Sequence, residues 1–333
     1  MSLLQEFCQV FAVPAFIGPY LHFFVTDEEM RLVVALAKEP LRTEAIAANM
    51  GNTVEAAAAL LASAYQRCII DKEHKAGTDY YTAGSFYNRL KNFCQFGNYH
   101  VLPRRIRTEL DAWDFEEYAK RNDYFRQVLA QDPEYENCHN EWILLLAEAE
   151  AMIDAAAAIR VLPCDCKMLA DNCEHSREIC LVLDAKRLSD RTGGRELSQA
   201  AAKDLLRRLD KEGLMHTGGP ANWRESGPQV ICNCCTCCCY PFRAAQKYGT
   251  KGRWPKSRYI AVHHAAQCVQ CGLCAGRCGF NAFNFTTEQG DKTTNTAKQV
   301  TFSQERCWGC GLCANACPAH AIELIPLGRN EST

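Results

Sequence analysis

The sequence predicts an α+β chain: a mainly helical first half, a cysteine-rich middle and a C-terminal part built from a duplicated cysteine motif. Three observations carry that reading. Residues 1–160 show capped, amphipathic helical periodicity with one hairpin signal, 18 of the 22 cysteines lie after residue 160, and one cysteine spacing occurs twice near the C-terminus. At 333 residues, with 37 basic against 39 acidic side chains, the chain can build several cores and is not a disordered polyelectrolyte. The expected domains are 1–107, 108–160 (a helical connector), 161–245 and 246–333.

Many cysteines are adjacent or one residue apart, a spacing that rarely meets disulfide geometry, so metal or cluster ligation is the expected chemistry. The uncharged run Val10 to Val25 lacks a basic leader, is broken by Pro14, Gly18 and Pro19, and is shorter than the ~20 residues a membrane helix needs. A cytoplasmic chain in a reducing compartment, with no membrane span, is therefore expected. Charge is divided unevenly: residues 1–160 hold 15 Lys+Arg and 23 Asp+Glu, whereas residues 161–333 hold 22 and 16.

Thr26 and Glu29 form a capping-box pattern ahead of Met30, Leu32, Val33 and Leu36. Thr43 to Met50 reads as a short helix ended by Gly51, and Asn52 or Thr53 caps a helix from Val54 to Ile70. Ile69-Ile70 and Tyr80-Tyr81 flank a turn containing Gly77 and Thr78, so residues 26–84 suit a winged helix whose wing is this hairpin. DNA is an unfavoured partner for it. Residues 26–82 carry 9 acidic against 6 basic side chains, and Arg67 is the only basic residue of the helix from Val54, whereas DNA affinity rests on phosphate neutralisation. A docking or packing module is the better reading, with Arg104, Arg105 and Arg107 keeping DNA open as an alternative. A connector from 108 to 139 follows, and Asn140 is expected to cap a helix through Trp142, Leu145, Leu146, Ala149, Met152 and Ile153 that stops before Pro163.

The middle module opens with Cys164, Cys166, Cys173 and Cys180 and closes with Cys232, Cys234, Cys235, Cys237, Cys238 and Cys239. Ten thiols exceed the eight that two four-thiolate clusters take, and the spacing lacks the C-x2-C knuckles of zinc hairpins. One or two further iron–sulfur clusters are expected, with zinc or copper as the alternative. Neighbours such as Cys234 and Cys235 point different ways on an extended segment, so one run can feed two sites. Between the runs, Ser198 to Leu209 reads as an amphipathic helix, His216 reads as structural, and the glycines near 218 lack the setting of a dinucleotide site.

Cys268-x2-Cys271-x2-Cys274-x3-Cys278 is repeated as Cys307-x2-Cys310-x2-Cys313-x3-Cys317-Pro318. Over about residues 259–327 the chain resembles the bacterial-type ferredoxins that carry two 4Fe-4S clusters. The resemblance implies a crossed ligand pattern, in which Cys268, Cys271, Cys274 and Cys317 hold one cluster and Cys307, Cys310, Cys313 and Cys278 the other. Gly279 stands where the second repeat has Pro318, a departure expected to loosen that turn without removing a ligand. Over about 160–327 the chain also resembles a group of anaerobic iron–sulfur proteins with Leu-Pro-Cys-Asp-Cys and Cys-Asn-Cys-Cys-x-Cys-Cys-Cys runs ahead of such a ferredoxin, here Leu162 to Cys166 and Cys232 to Cys239.

From Tyr240 to Thr287 there is no acidic residue, while Arg243, Lys247, Lys251, Arg253, Lys256, Arg258 and Arg277 occur. The first six are read as a docking face for an acidic redox partner, or as cations that offset cluster charge. The function expected is a multi-cluster electron-transfer protein or subunit serving a partner oxidoreductase, rather than a stand-alone catalyst. The alternatives are an iron–sulfur redox-sensing winged-helix regulator and a reductase with an open-site cluster in the middle module. Cys8, Cys68, Cys94 and Cys138 are read as plain thiols.

Overall fold

The computed structural model describes residues 2–121, 142–184, 189–287 and 298–327. Two compact units divide it: Met1–Glu117 with Met168–Ala170 and Arg191–Gly193, and the remainder.

In the first unit, helix α1 (Leu3–Val10) leads into a 3-10 segment, Ala15–Phe23. The apolar run Val10 to Val25 thus supplies core: Phe11, Ile17 and Phe24 are fully buried. Helix α2 (Asp27–Ala35) starts at the expected capping box, with Thr26 Oγ1 accepting the Glu29 N–H at 3.2 Å and Glu29 Oε2 accepting the Thr26 N–H at 2.9 Å. Helix α3 (Thr43–Met50) ends at left-handed Gly51, and Thr53 caps α4 (Val54–Gln66).

Helix α4 stops four residues before the expected Ile70. Cys68 takes a left-handed backbone, and Ile69 and Ile70, both fully buried, turn into strand β1 (Ile70–Lys75). It pairs antiparallel with β2 (Thr78–Ala83), giving the hairpin where the turn signal put it. Helices α5 (Phe86–Phe96) and α6 (Arg104–Arg121) follow. At the start of α6, Arg105 pairs with Glu109, and Arg107 lies 3.1 Å from His100 Nδ1.

The second unit corrects one expectation. Trp142–Leu144 is strand β3, and helix α7 (Leu146–Ala155) begins only after Leu145. The cause is a cap: Glu148 Oε2 accepts the Leu145 N–H at 2.8 Å, while Ile143 and Leu144 are buried in the sheet. The expected cap Asn140, like Cys138, lies outside the described residues.

Strand β4 (Ile159–Pro163) runs into the short helix α8 (Asp165–Ala170), followed by β5 (Glu178–Leu183), β6 (Arg195–Leu197), α9 (Gln199–Lys211) and β7 (Met215–Gly219). Helix α10 (Trp223–Ser226) and strand β8 (Val230–Cys234) complete a six-stranded sheet of order β3-β7-β8-β5-β4-β6, antiparallel throughout. Ser198 caps α9, and its predicted apolar side, Leu205, Leu206 and Leu209, is buried. Helix α11 (Tyr240–Tyr248) starts immediately after the second cysteine run.

The C-terminal part repeats one plan twice. Strand β9 (Tyr259–His263), a 3-10 turn, helix α12 (Leu273–Arg277) and β10 (Phe283–Thr287) are matched by β11 (Lys298–Phe302), a 3-10 turn, α13 (Leu312–Asn315) and β12 (Ile322–Pro326). The repeats exchange strands: β9 pairs with β12 and β10 with β11, both antiparallel. That exchange brings the fourth cysteine of each motif beside the first three of the other.

Candidate metal centres

Two cavities in the C-terminal part each meet four thiols. One is lined by Cys268, Cys271, Cys274 and Cys317; the other by Cys278, Cys307, Cys310 and Cys313. The same local bond recurs in both repeats. The Ala282 N–H donates to Cys278 Sγ at 3.2 Å and the Ala321 N–H to Cys317 Sγ at 3.3 Å. The Gly309 N–H donates to Cys307 Sγ at 3.4 Å. These donors fit sulfurs that carry negative charge when bound to metal. Gly309 has φ +66°, and a Cβ there would lie 2.0 Å from the Tyr259 carbonyl oxygen, so only glycine fits. Burial pushes the Cys274 thiol up to about 11 and Cys310 up to about 12, which leaves a bound cation as the natural source of thiolate character.

The ten middle thiols separate into two sets. Cys173, Cys235, Cys237 and Cys238 keep their sulfurs within 4.8 Å of one another. The other six are linked through strands β5 and β8: Cys164 hydrogen-bonds with Cys166 and Cys180, Cys180 with Cys232, and Cys239 Sγ lies 3.0 Å from Cys234 Sγ. Alternation along β8 puts Cys232 and Cys234 on one face, and the turn after it sends Cys235 to the other set. The expectation that Cys234 and Cys235 diverge matches this geometry.

Lys167 of α8 is 1% exposed, and its Nζ has no hydrogen-bond partner. A hydrogen bond from Cys238 holds the Cys235 thiol well below the ordinary thiol range against the effect of burial, and the Lys167 charge adds to that lowering. Sequence reasoning passed over Lys167; its place directly after Cys-Asp-Cys was the available signal.

Four thiols of the six-thiol set adjoin the second C-terminal cavity. Cys232, Cys234, Cys239, Phe242, Trp308 and Leu312 share one buried cluster, against which Cys180, Phe280 and Cys310 pack. Phe242 meets Trp308 edge-on at 5.2 Å. A polar chain runs alongside. Buried His216 contacts Asn233 Oδ1 through Nδ1 at 2.6 Å and faces Asp210 at 3.7 Å. Asp210 in turn accepts from Asn315 Nδ2 at 2.7 Å and, through its carbonyl, from Arg277 at 2.8 Å. His216 is thus held between Asn233 and Asp210.

Gly279 has a specific cause. A Cβ there would lie 2.9 Å from Thr236 Cγ2 and 3.2 Å from its Oγ1, so the residue after Cys278 is small because the second cysteine run presses against it.

Of the basic residues, Lys247, Lys251, Arg253 and Lys256 are exposed and Arg243 is partly so. Arg258 instead grips Glu148 with two bonds of 2.5 and 2.7 Å, donates to the Ile143 carbonyl and stacks over Trp142. Its guanidinium is committed internally. Cys94 is buried, Cys8 and Cys68 are partly buried, and every described cysteine is free of disulfides.

Among the described residues no helix is long and apolar enough to cross a membrane. Searches among curated proteins and among solved structures find no match. Residues 267–321 match the family model of the 4Fe-4S dicluster domain, which supports 4Fe-4S binding by this part of the chain.

Proposed function

We propose that the chain is a multi-cluster iron–sulfur electron carrier, or the electron-transfer subunit of an oxidoreductase complex, working in a reducing cytoplasm. The observation that carries this reading is the pair of four-thiol cavities, the second packed against Cys180, Cys232, Cys234 and Cys239 of the middle module through Phe242, Phe280 and Trp308. Cys268, Cys271, Cys274 and Cys317 would hold one 4Fe-4S cluster, and Cys278, Cys307, Cys310 and Cys313 the other. Cys164, Cys166, Cys180, Cys232, Cys234 and Cys239 would hold a third centre. Bound clusters supply one-electron chemistry at low potential. The chain's own residues contribute amide donors to the sulfurs, an apolar shell that limits water, and a short packed junction between centres.

The N-terminal three helices and hairpin, read as a winged helix, serve as a docking module in this account, because their acidic balance opposes DNA. The exposed Lys247, Lys251, Arg253 and Lys256 form a face that steers an acidic partner. The test is anaerobic purification of the full chain followed by iron and acid-labile sulfide analysis. About eight irons would confine the clusters to the C-terminal domain, more would require the middle module, and none would end the proposal.

A further inference from the structure

The four-thiol set of the middle module has the wrong spacing for a cubane and the right one for a single ion. Cys173 Sγ lies 3.8 Å from Cys235 Sγ and 3.6 Å from Cys238 Sγ, and Cys237 Sγ lies 3.8 Å from Cys238 Sγ. Metal–sulfur bonds of about 2.3 Å directed to the corners of a tetrahedron put the sulfurs about 3.8 Å apart. A cubane separates any two of its thiolates by two irons and so holds them wider. The protein carries its own comparison: the eight C-terminal thiols line their cavities in fours, yet among the described residues they form no set of three or more within 4.8 Å.

A second, independent observation is Lys167. A tetrathiolate site with one divalent cation carries a net charge of about −2. Lys167 is buried to 1% exposure, and its Nζ has no hydrogen-bond partner. A buried amine without a partner is costly unless a fixed negative charge lies beside it. Asn172 Nδ2 also donates to the Cys237 carbonyl at 3.3 Å, tying the loop that carries Cys173 to the turn that carries the other three.

We infer that Cys173, Cys235, Cys237 and Cys238 bind a single tetrahedral thiophilic ion, zinc or mononuclear iron, which fastens the 172–176 loop to the 235–238 turn. Iron–sulfur chemistry in the middle module then falls to the remaining six thiols. This rests on the cluster reading only for that last division, since the ion site stands on its own geometry.

The test measures zinc, iron and sulfide together on the anaerobically purified full chain, with X-ray absorption at the zinc edge. The expected result is about one zinc per chain in a shell of four sulfurs near 2.3 Å with no second metal close by. The Cys235→Ser/Cys238→Ser variant should lose that one zinc and keep all its iron and sulfide. If the ion is iron, zinc is absent and the variant loses a single iron with no sulfide. Loss of iron and sulfide in equal blocks of about four would overturn the inference, as would a wild-type protein with neither zinc nor sulfide-free iron. The wild-type absorption spectrum decides the matter even if the variant fails to fold. Zinc present without any cluster iron would sink the electron-carrier reading and leave this one standing.

Discussion

The indole of Trp308 lies flat against the ring of Phe280, with centroids 4.4 Å apart and planes 10° from parallel. Trp308 sits between Cys307 and Cys310, and Phe280 two residues after Cys278, so the stack belongs to the thiols of the second cavity. Phe242, three residues after Cys239, closes it from the middle module. Two groups of thiols thus meet across three aromatic side chains.

Trp308→Ala should cost about 3–5 kcal/mol, because a nearly buried ring with partners on both sides leaves a cavity. Trp308→Phe should recover much of that. Chemical unfolding of the two variants checks the order; equal stabilities would mean that the stack contributes little.

Gly279→Ala is expected to destabilise by about 1–3 kcal/mol through overpacking against Thr236. Thr236→Ala removes both clashing atoms and should restore most of the loss in the double variant. A double-mutant cycle that showed simple additivity would refute the contact as the reason for glycine.

Asp210→Ala leaves the Asn315 amide without its acceptor in a site where Asp210 is 5% exposed. The expected loss is about 1–3 kcal/mol, with faster hydrogen exchange around α13 and unchanged iron content. Asp210→Asn, which keeps an oxygen acceptor, should be milder.

Glu148 gives a pH prediction. Burial alone would raise its carboxyl, but Arg258, the Leu145 N–H and Tyr259 outweigh burial and hold it below the ordinary 4.5. A carboxyl lowered in the folded state adds stability above its unfolded value and loses it as the pH falls through the folded one. The gap in unfolding midpoint between wild type and Glu148→Gln should therefore be full near neutrality and shrink below about pH 4.5. A gap that stayed constant to pH 3 would contradict the pairing.

Local chemistry made much of this legible. The Thr26 and Glu29 box, the Gly51 stop and the hairpin at Gly77 depend on neighbours within a few residues, and each lies where the sequence put it. The duplicated C-x2-C-x2-C-x3-C run marked the eight thiols that line the two cavities, and the crossed grouping came from the resemblance it carries. Trp142–Leu144 misled because a short apolar run has no period that separates strand from helix. Gly279 and Arg258 were opaque for another reason: what each one meets, Thr236 and Glu148, lies far along the chain. Alternation foresaw that Cys234 and Cys235 part company, but the division of ten thiols into four and six needed the sheet.

The central claim is that the chain stores electrons in its C-terminal domain and in the middle module together. A coulometric reductive titration of the anaerobically purified full chain, followed by EPR, tests it most directly. The account predicts uptake of more than about two electrons per chain, with magnetic coupling between the second C-terminal centre and a middle-module centre. Uptake that stops at about two electrons, with signals unaltered by substituting Cys232 and Cys234, would contradict it.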